Sequence, residues 1–245
     1  MKILVTGAAG FLGSWLAEKL VKDNHEVIAV DNLIGGYTDN IPKGVKFIKG
    51  DAGDIDLMTK ATKGVELIYH LAAAPHEGLS VFSPKVITEN TYLSSVGVYV
   101  AAVRNKATVK RVIFTSSMAR YGKNKIPFKE SMLPRPEDPY AVAKMASENL
   151  FKIMHEAFGI ESIITVPHNI IGPRQKYDDP FRNVVSIFIN RMLLGKQPII
   201  YGDGEQKRTF SDYRDCIEPL IATANPKLKS GEIINIGPPL CQNNR

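Results

Sequence analysis

Residues 6–13 read Thr6-Gly7-Ala8-Ala9-Gly10-Phe11-Leu12-Gly13. They stand between a short apolar run, residues 3–6, and a stretch, residues 11–22, in which Phe11, Trp15, Leu16 and Leu20 recur at helical spacing. The pattern predicts a buried strand, a sharp turn and a helix. A chain that turns here must bend tightly and leave room for something to approach its backbone, and glycine, with no Cβ, permits both. The helix start adds unpaired N–H groups and partial positive charge, which suit an anion. The glycine spacing is GxxGxxG, and its place between strand and helix reads as a cradle for a dinucleotide diphosphate rather than an ordinary turn. No Gly-Lys-Ser/Thr follows, so the loop of a nucleoside triphosphatase is excluded.

Outward from the cradle, short apolar runs alternate with longer amphipathic ones. Strands are expected at residues 27–30, 46–48, 67–70, 112–115 and 162–166, with helices between them, notably over 85–105 and 140–157. Strands without amphipathic alternation are buried on both faces, which implies a parallel sheet of the doubly wound α/β kind. After Pro167 the pattern changes. Pro173, Pro180 and Pro198 punctuate loops around one helix at 184–194, residues 201–214 are rich in Gly, Asp and Arg, and a return strand is expected near 232–236. The expected organisation is a dinucleotide-binding domain over 1–166 and a small substrate lobe over 167–245.

Composition narrows the class. The 245 residues are 44% hydrophobic and 23% charged, an ordinary globular balance, and the net charge of +6 favours anionic small molecules without demanding nucleic acid. Residues 106–111 hold three basic side chains with no recognition motif around them. Two cysteines, Cys216 and Cys241, make neither a disulfide framework nor a zinc site and suit a reducing compartment. The five histidines are scattered, and His76-Glu77-Gly78-Leu79-Ser80 lacks the second His of a zinc-protease helix, so no metal is expected. Glycines interrupt the apolar start where a signal peptide would need continuity, and no run approaches a membrane span. A soluble, cytoplasmic protein is the expectation.

Chemistry concentrates at three places. Asp31 closes the second strand roughly twenty residues beyond the cradle, where a carboxylate takes ribose hydroxyls and repels an added phosphate, which favours NAD over NADP. Asp51, after the third strand, is positioned for an adenine amino group. Tyr140 and Lys144 stand four apart, which on a helix places them on one face with about 6 Å of rise between them. A phenol has a pKa of about 10, and a neighbouring ammonium lowers it toward a working general base. Ser117, in Phe114-Thr115-Ser116-Ser117, puts a hydroxyl at the C-terminal edge of the fifth strand, where the crevice of a parallel sheet lies. Its other role would be to cap the next turn.

Together, Thr6–Gly13 as TGxxGxxG, Asp31, His70-Leu71-Ala72-Ala73, Phe114–Ser117 with Tyr121-Gly122, and Tyr140–Lys144 resemble the extended short-chain dehydrogenase/reductases. Within them the sequence is most similar to NAD-dependent nucleotide-sugar epimerases and dehydratases of the UDP-glucose 4-epimerase kind. Asn169-Ile170-Ile171-Gly172-Pro173-Arg174-Gln175 and the segment from Tyr201-Gly202-Asp203-Gly204 to Arg208 carry the likeness into the lobe. The resemblance implies a Rossmann-type fold with NAD as cofactor. It makes Tyr140 the base, Lys144 its activator and the anchor of the nicotinamide ribose, and Ser117 the partner of the substrate hydroxyl. Gly7, Gly10, Phe11, Leu12, Gly13, Asp31, Asn32, Asp51, Ala52, Leu71, Ala72, Ala73, Asn90, Thr115 and Pro167 would line the cofactor site with Tyr140 and Lys144. Asn169, Asn183, Tyr201 and Arg208 would hold the sugar nucleotide, Arg208 through its diphosphate and Tyr201 over the base. A homodimer through a four-helix bundle of residues 85–105 and 140–157 is also implied.

Dehydratases and decarboxylases of this family usually carry an acid after the Ser or Thr of the fifth strand. Here Ser117-Met118-Ala119-Arg120 has none, which points to epimerisation at C4 of a UDP-sugar. The alternatives are a dehydratase or dehydrogenase of the same family, or a non-catalytic NAD-binding module. Met118 and Arg120 replace small or aliphatic residues, which implies an altered sugar pocket. Family members usually run several dozen residues beyond the Asn235-Ile236-Gly237 element, so the lobe is expected to be incomplete or pared down.

Overall fold

The computed structural model describes residues 1–205 and 207–237; Gln206 and the tail 238–245, with Cys241, lie outside the described residues. The chain opens with β1 (Lys2–Thr6), α1 (Phe11–Lys22), β2 (Glu26–Asp31), β3 (Lys46–Lys49), α2 (Ile55–Ala61) and β4 (Leu67–His70). It continues through α3 (Glu77–Phe82), α4 (Pro84–Thr88), a wide π-type turn (Glu89–Leu93), α5 (Ser94–Arg104), β5 (Arg111–Thr115), α6 (Pro139–Phe158) and β6 (Glu161–Pro167). Beyond lie β7 (Ile170–Ile171), α7 (Val184–Leu193), β8 (Ser211–Asp212), α8 (Arg214–Ala222) and β9 (Ile233–Ile236).

Seven strands form one sheet in the order β3-β2-β1-β4-β5-β6-β9, and every pairing is parallel. Along β1, Leu4 points to one face while Ile3 and Val5 point to the other, as the two-residue period of a strand requires. On the Leu4 face, Met58 of α2, Val98 and Ala101 of α5, and Phe151 and Met154 of α6 bury the sheet. On the opposite face α1 and α8 do so through Leu16, Leu20, Cys216, Ile217 and Leu220. Apolar cover on both faces explains why the strands read as unbroken apolar runs. This is the Rossmann-type doubly wound arrangement, and its strand order reverses between β1 and β4, where a crevice opens at the carboxyl ends.

The residues after Pro167 divide between sheet and lobe. β9 pairs with β6, and α8 packs on the sheet, so the chain returns to the main core after α7 and the 195–210 segment. The helix expected over 85–105 forms: α4, the wide turn and α5 follow one another without a break from Pro84 to Arg104, with helical backbone at each junction, and Ser83, at φ −135, separates them from α3. Proline fits a first helical turn and cannot sit inside a continuous helix without losing a hydrogen bond.

Candidate functional site

The cradle folds as its glycines demand. Gly7, at φ +73, donates its N–H to the Val30 carbonyl at 2.9 Å, and a Cβ there would stand 2.8 Å from the Ala72 nitrogen. A Cβ on Gly13 would lie 2.1 Å from the Gly7 carbonyl oxygen, so the helix could not seat against the turn. Gly10 caps α1 in extended conformation and supplies no side chain, leaving the first helical N–H groups facing the crevice.

At the end of β2, Asp31 is 7% exposed and accepts two backbone N–H groups, Ala9 at 2.9 Å on Oδ2 and Leu33 at 2.7 Å on Oδ1. Each oxygen keeps a lone pair for a further donor. Beside it, Asn32 Nδ2 donates to Asp51 Oδ2 at 3.3 Å and to Asn90 Oδ1 at 3.2 Å, which brings β2, β3 and the wide turn to one rim. The end of β4 is pinned by a buried chain. The Ala72 N–H donates to Thr6 Oγ1 (3.2 Å), which lies 2.7 Å from His70 Nδ1, and His70 Nε2 lies 2.9 Å from Ser95 Oγ, which donates to the Thr91 carbonyl (2.9 Å). With each proton used once, His70 carries its hydrogen on Nε2. Burial, with help from the Lys144 charge, holds this ring neutral, its pKa pushed down to about 3.

α6 begins where Asp138 Oδ1 accepts the Ala141 N–H at 2.8 Å and Pro139 occupies its first position; Gly159, at φ +72, ends it. Tyr140 is therefore in the first turn and Lys144 in the next, both buried against the sheet edge. Lys144 Nζ donates to the Thr115 carbonyl at 2.6 Å, lies 4.9 Å from the Phe114 ring centroid and 5.8 Å from that of Tyr140. Burial brings its pKa down to about 7, with Glu148 opposing. Burial likewise pushes the Tyr140 phenol above its ordinary 10; a hydrogen bond with Ser117 and the Arg182 charge oppose the rise, whereas Glu77 and Asp138 add to it. The sequence led us to expect a phenol acidified by the amine. In the fold, desolvation dominates both groups and drives their pKa values apart, the phenol upward and the amine downward. Ser117 Oγ also accepts the Ala119 N–H at 3.2 Å, so its capping role and its contact with Tyr140 coexist.

These parts meet in one cleft. It is lined by every residue assigned to the cofactor from sequence, from Gly7, Gly10, Phe11, Leu12 and Gly13, through Asp31, Asn32, Asp51, Ala52, Leu71, Ala72, Ala73 and Asn90, to Thr115, Tyr140, Lys144 and Pro167, and by Ser117 as well. A glycine-lined turn that a Cβ would fill, a helix N-terminus and a strand-end carboxylate form a donor set that fits a dinucleotide.

The four residues expected to hold a sugar nucleotide do not line this cleft. Asn169, at φ +33, donates through Nδ2 to the Thr209 carbonyl at 3.2 Å. Asn183 caps α7, its Oδ1 accepting the Ser186 N–H at 3.1 Å. Tyr201 is 79% exposed, and Arg208, also exposed, donates to the Lys207 carbonyl at 2.9 Å. Arg120 does not alter a sugar pocket either. It is buried behind the sheet edge, paired with buried Glu148 (2.9 and 3.0 Å), whose Oε1 also accepts from Ser116 Oγ at 2.5 Å. Met118 packs against the core.

Sequence reasoning missed His76 and Arg182 as cleft residues. Arg182 ends, and His76 pairs with, a strap over 173–182. Trp15 Nε1 donates to the Pro173 carbonyl at 3.1 Å, Arg174 stacks 3.5 Å from the Trp15 ring centroid, and Asn40 Nδ2 donates to the Arg174 carbonyl at 3.0 Å. Tyr37 donates to Asp178, Arg182 donates to the Gly35 carbonyl at 2.9 Å, and His76 Nε2 meets Asp179 Oδ2 at 2.6 Å. Nothing local in the sequence pairs these residues. Among the described residues, no three His, Cys, Asp or Glu side chains gather as a metal-holding group, and no helix is long and apolar enough to cross a membrane.

Comparison with known proteins bears on this geometry. The profile of the NAD dependent epimerase/dehydratase family matches residues 3–237. A putative UDP-glucose 4-epimerase of Methanocaldococcus jannaschii is 36% identical over 240 residues, covering 96% of this chain and 76% of that protein. The UDP-N-acetyl-alpha-D-glucosaminuronate decarboxylase of Bacillus cytotoxicus is 34% identical over 245 residues, covering 96% of this chain and 74% of its own. The crystal structure of UDP-glucose 4-epimerase with UDP-glucose from Thermotoga maritima superposes with a TM-score of 0.89 at 32% identity, covering 97% of this chain and 77% of that one.

Proposed function

The chain belongs to the NAD dependent epimerase/dehydratase family, and on that premise we propose that it inverts C4 of a UDP-sugar through a transient 4-keto sugar. The observation that carries this reading is the meeting of Tyr140, Ser117 and Lys144 in the cleft that the glycine cradle and Asp31 also line. NAD, when bound, supplies the hydride acceptor and donor that C4 inversion requires. The residues supply the rest. Asp31 offers its remaining lone pairs to ribose hydroxyls, and its negative charge disfavours the extra phosphate of NADP. Tyr140, as its phenolate, takes the proton of the C4 hydroxyl and gives it back, and Ser117 holds that hydroxyl in line with it. Lys144, poised near neutrality, orients the nicotinamide ribose and supplies positive charge beside the phenol.

Epimerisation is favoured over elimination because no free acid faces the reacting centre from the β5 edge. The residue after Ser117 is Met118, and the buried carboxylate behind that edge, Glu148, is consumed by Arg120 and Ser116. The residues between β6 and α8 form the substrate lobe in this reading, with Asn169, Asn183, Tyr201 and Arg208 on the nucleotide. Exposed Val142 and Ile153 on α6, with Leu93 ahead of α5, fit a homodimer through those helices.

The test is incubation with UDP-, GDP- and dTDP-hexoses, reading C4-inverted product by NMR. Tyr140→Phe is expected to lower turnover by about 10²–10⁴-fold while leaving NAD content unchanged. Undiminished turnover, or no product from any sugar, defeats the reading.

A further inference from the structure

His76 lines the cleft at the Tyr140 end, since Ala73, Ala74 and Leu79 of the same segment pack with Tyr140 in one apolar cluster. It is 6% exposed. Its Nε2 lies 2.6 Å from Asp179 Oδ2, and Asp179 in turn pairs with Arg182 at 3.4 Å. A carboxylate only accepts, so the ring hydrogen sits on Nε2 and Nδ1 presents a lone pair. Desolvation and the Arg182 charge keep the ring from taking a second proton, against the pull of Asp179. Nδ1 is buried and has no hydrogen-bond partner. A buried polar atom left unpaired costs about 1–3 kcal/mol and is rare in a native fold unless a ligand or water completes it.

We propose that His76 is a hexose-binding residue: its Nδ1 accepts a hydrogen bond from a hydroxyl of the sugar ring, and Asp179 fixes the tautomer that makes this possible. The inference rests on the reading of the cleft as a nucleotide-sugar site and deepens it by assigning a specificity contact. Asp179 is a positioning residue, acting through the imidazole. It also joins the strap to the 74–77 segment. A phosphate or other group carrying only acceptors would gain nothing from this lone pair, whereas a hydroxyl donor would.

The experiment compares affinities for UDP and for UDP-glucose by calorimetry, using the protein as purified with its NAD content measured. The difference between the two ligands isolates contacts to the hexose. In His76→Phe, affinity for UDP-glucose is expected to fall about five- to tenfold, the size of one hydrogen bond to a neutral hydroxyl, with affinity for UDP unchanged. His76→Asn, whose Oδ1 takes the place of Nδ1, is expected to keep most of the difference. In Asp179→Asn the Phe181 N–H, which now donates to Oδ1, holds the amide oxygen and turns the amide N–H toward Nε2, moving the ring hydrogen to Nδ1, so the difference is expected to be lost although the imidazole remains. Should His76→Phe fail to fold, the contrast between the Asn variants decides the matter. Equal weakening for UDP and UDP-glucose, no weakening for either, or a wild type that binds UDP-glucose no better than UDP would each overturn the assignment. C4-inverted product alongside any of those outcomes leaves the epimerase reading standing and removes only the role of His76; absence of product with the hexose contact intact removes the epimerase reading alone.

Discussion

The crevice at the sheet edge and the lobe between β6 and α8 are built from the same chain by different rules. At the crevice, most cofactor-lining residues sit at the end of a strand or in the turn or helix start that follows it, Asn90, Tyr140 and Lys144 come from helices packed against that edge, and all of them arrive at one cleft. In the lobe, two-residue strands and one amphipathic helix hold the segment, and the four residues assigned to substrate cap a helix, tie a loop or stand exposed. A parallel sheet positions its loops through register, so residues twenty or forty apart are brought together by repeated geometry. A lobe without such a frame takes its shape from individual long-range contacts, and its side chains serve structure as readily as ligand.

If that contrast is right, damage at the crevice is large and damage in the lobe small. The strongest expected effect is Gly13→Ala, because a Cβ 2.1 Å from the Gly7 carbonyl forces α1 off the turn. It should cost about 3 kcal/mol or more and abolish NAD retention, measured by thermal unfolding and cofactor content. A variant that keeps both would break the comparison. Next is Lys144→Met, read through pH. Lys144 has a folded pKa of about 7 against 10.5 in the free side chain, so the unfolded chain holds more protons between those values. The linked stability is fully present above pH 10.5 and is lost as pH falls toward 7. The wild type should therefore gain up to about 1.4 kcal/mol per pH unit across that window relative to Lys144→Met. Parallel stability curves for the two proteins would show that the amine is charged in the fold. The smallest effect is expected from Arg208→Ala: a raised KM for the nucleotide sugar with kcat nearly unchanged, and stability within about 0.5 kcal/mol. A loss of kcat equal to that of Tyr140→Phe would place Arg208 among the reacting groups and blur the distinction.

The fate of two arginines shows where sequence stops being informative. Arg120 follows the Ser pair closely enough to suggest a pocket residue, yet it turns away to pair with Glu148, a residue 28 positions later on α6. Arg182 looks like any loop residue, yet it reaches the cleft because the strap is tied to Trp15, Asn40 and Gly35. The helix expected over 85–105 has a legible start, since Pro84 suits a first turn, whereas the wide turn within it that carries Asn90 to the rim has no such signal.

What the sequence determined by itself was the alternation of strand and helix, the glycine turn, the strand-end carboxylate and the Tyr140–Lys144 face, because each follows from local periodicity, steric freedom or a capping residue within a few positions. The tertiary structure alone decided the charge balance of Tyr140 and Lys144, the burial of Arg120 and the orphaned nitrogen of His76. Those depend on desolvation and on partners dozens to over a hundred residues away, which no local pattern encodes.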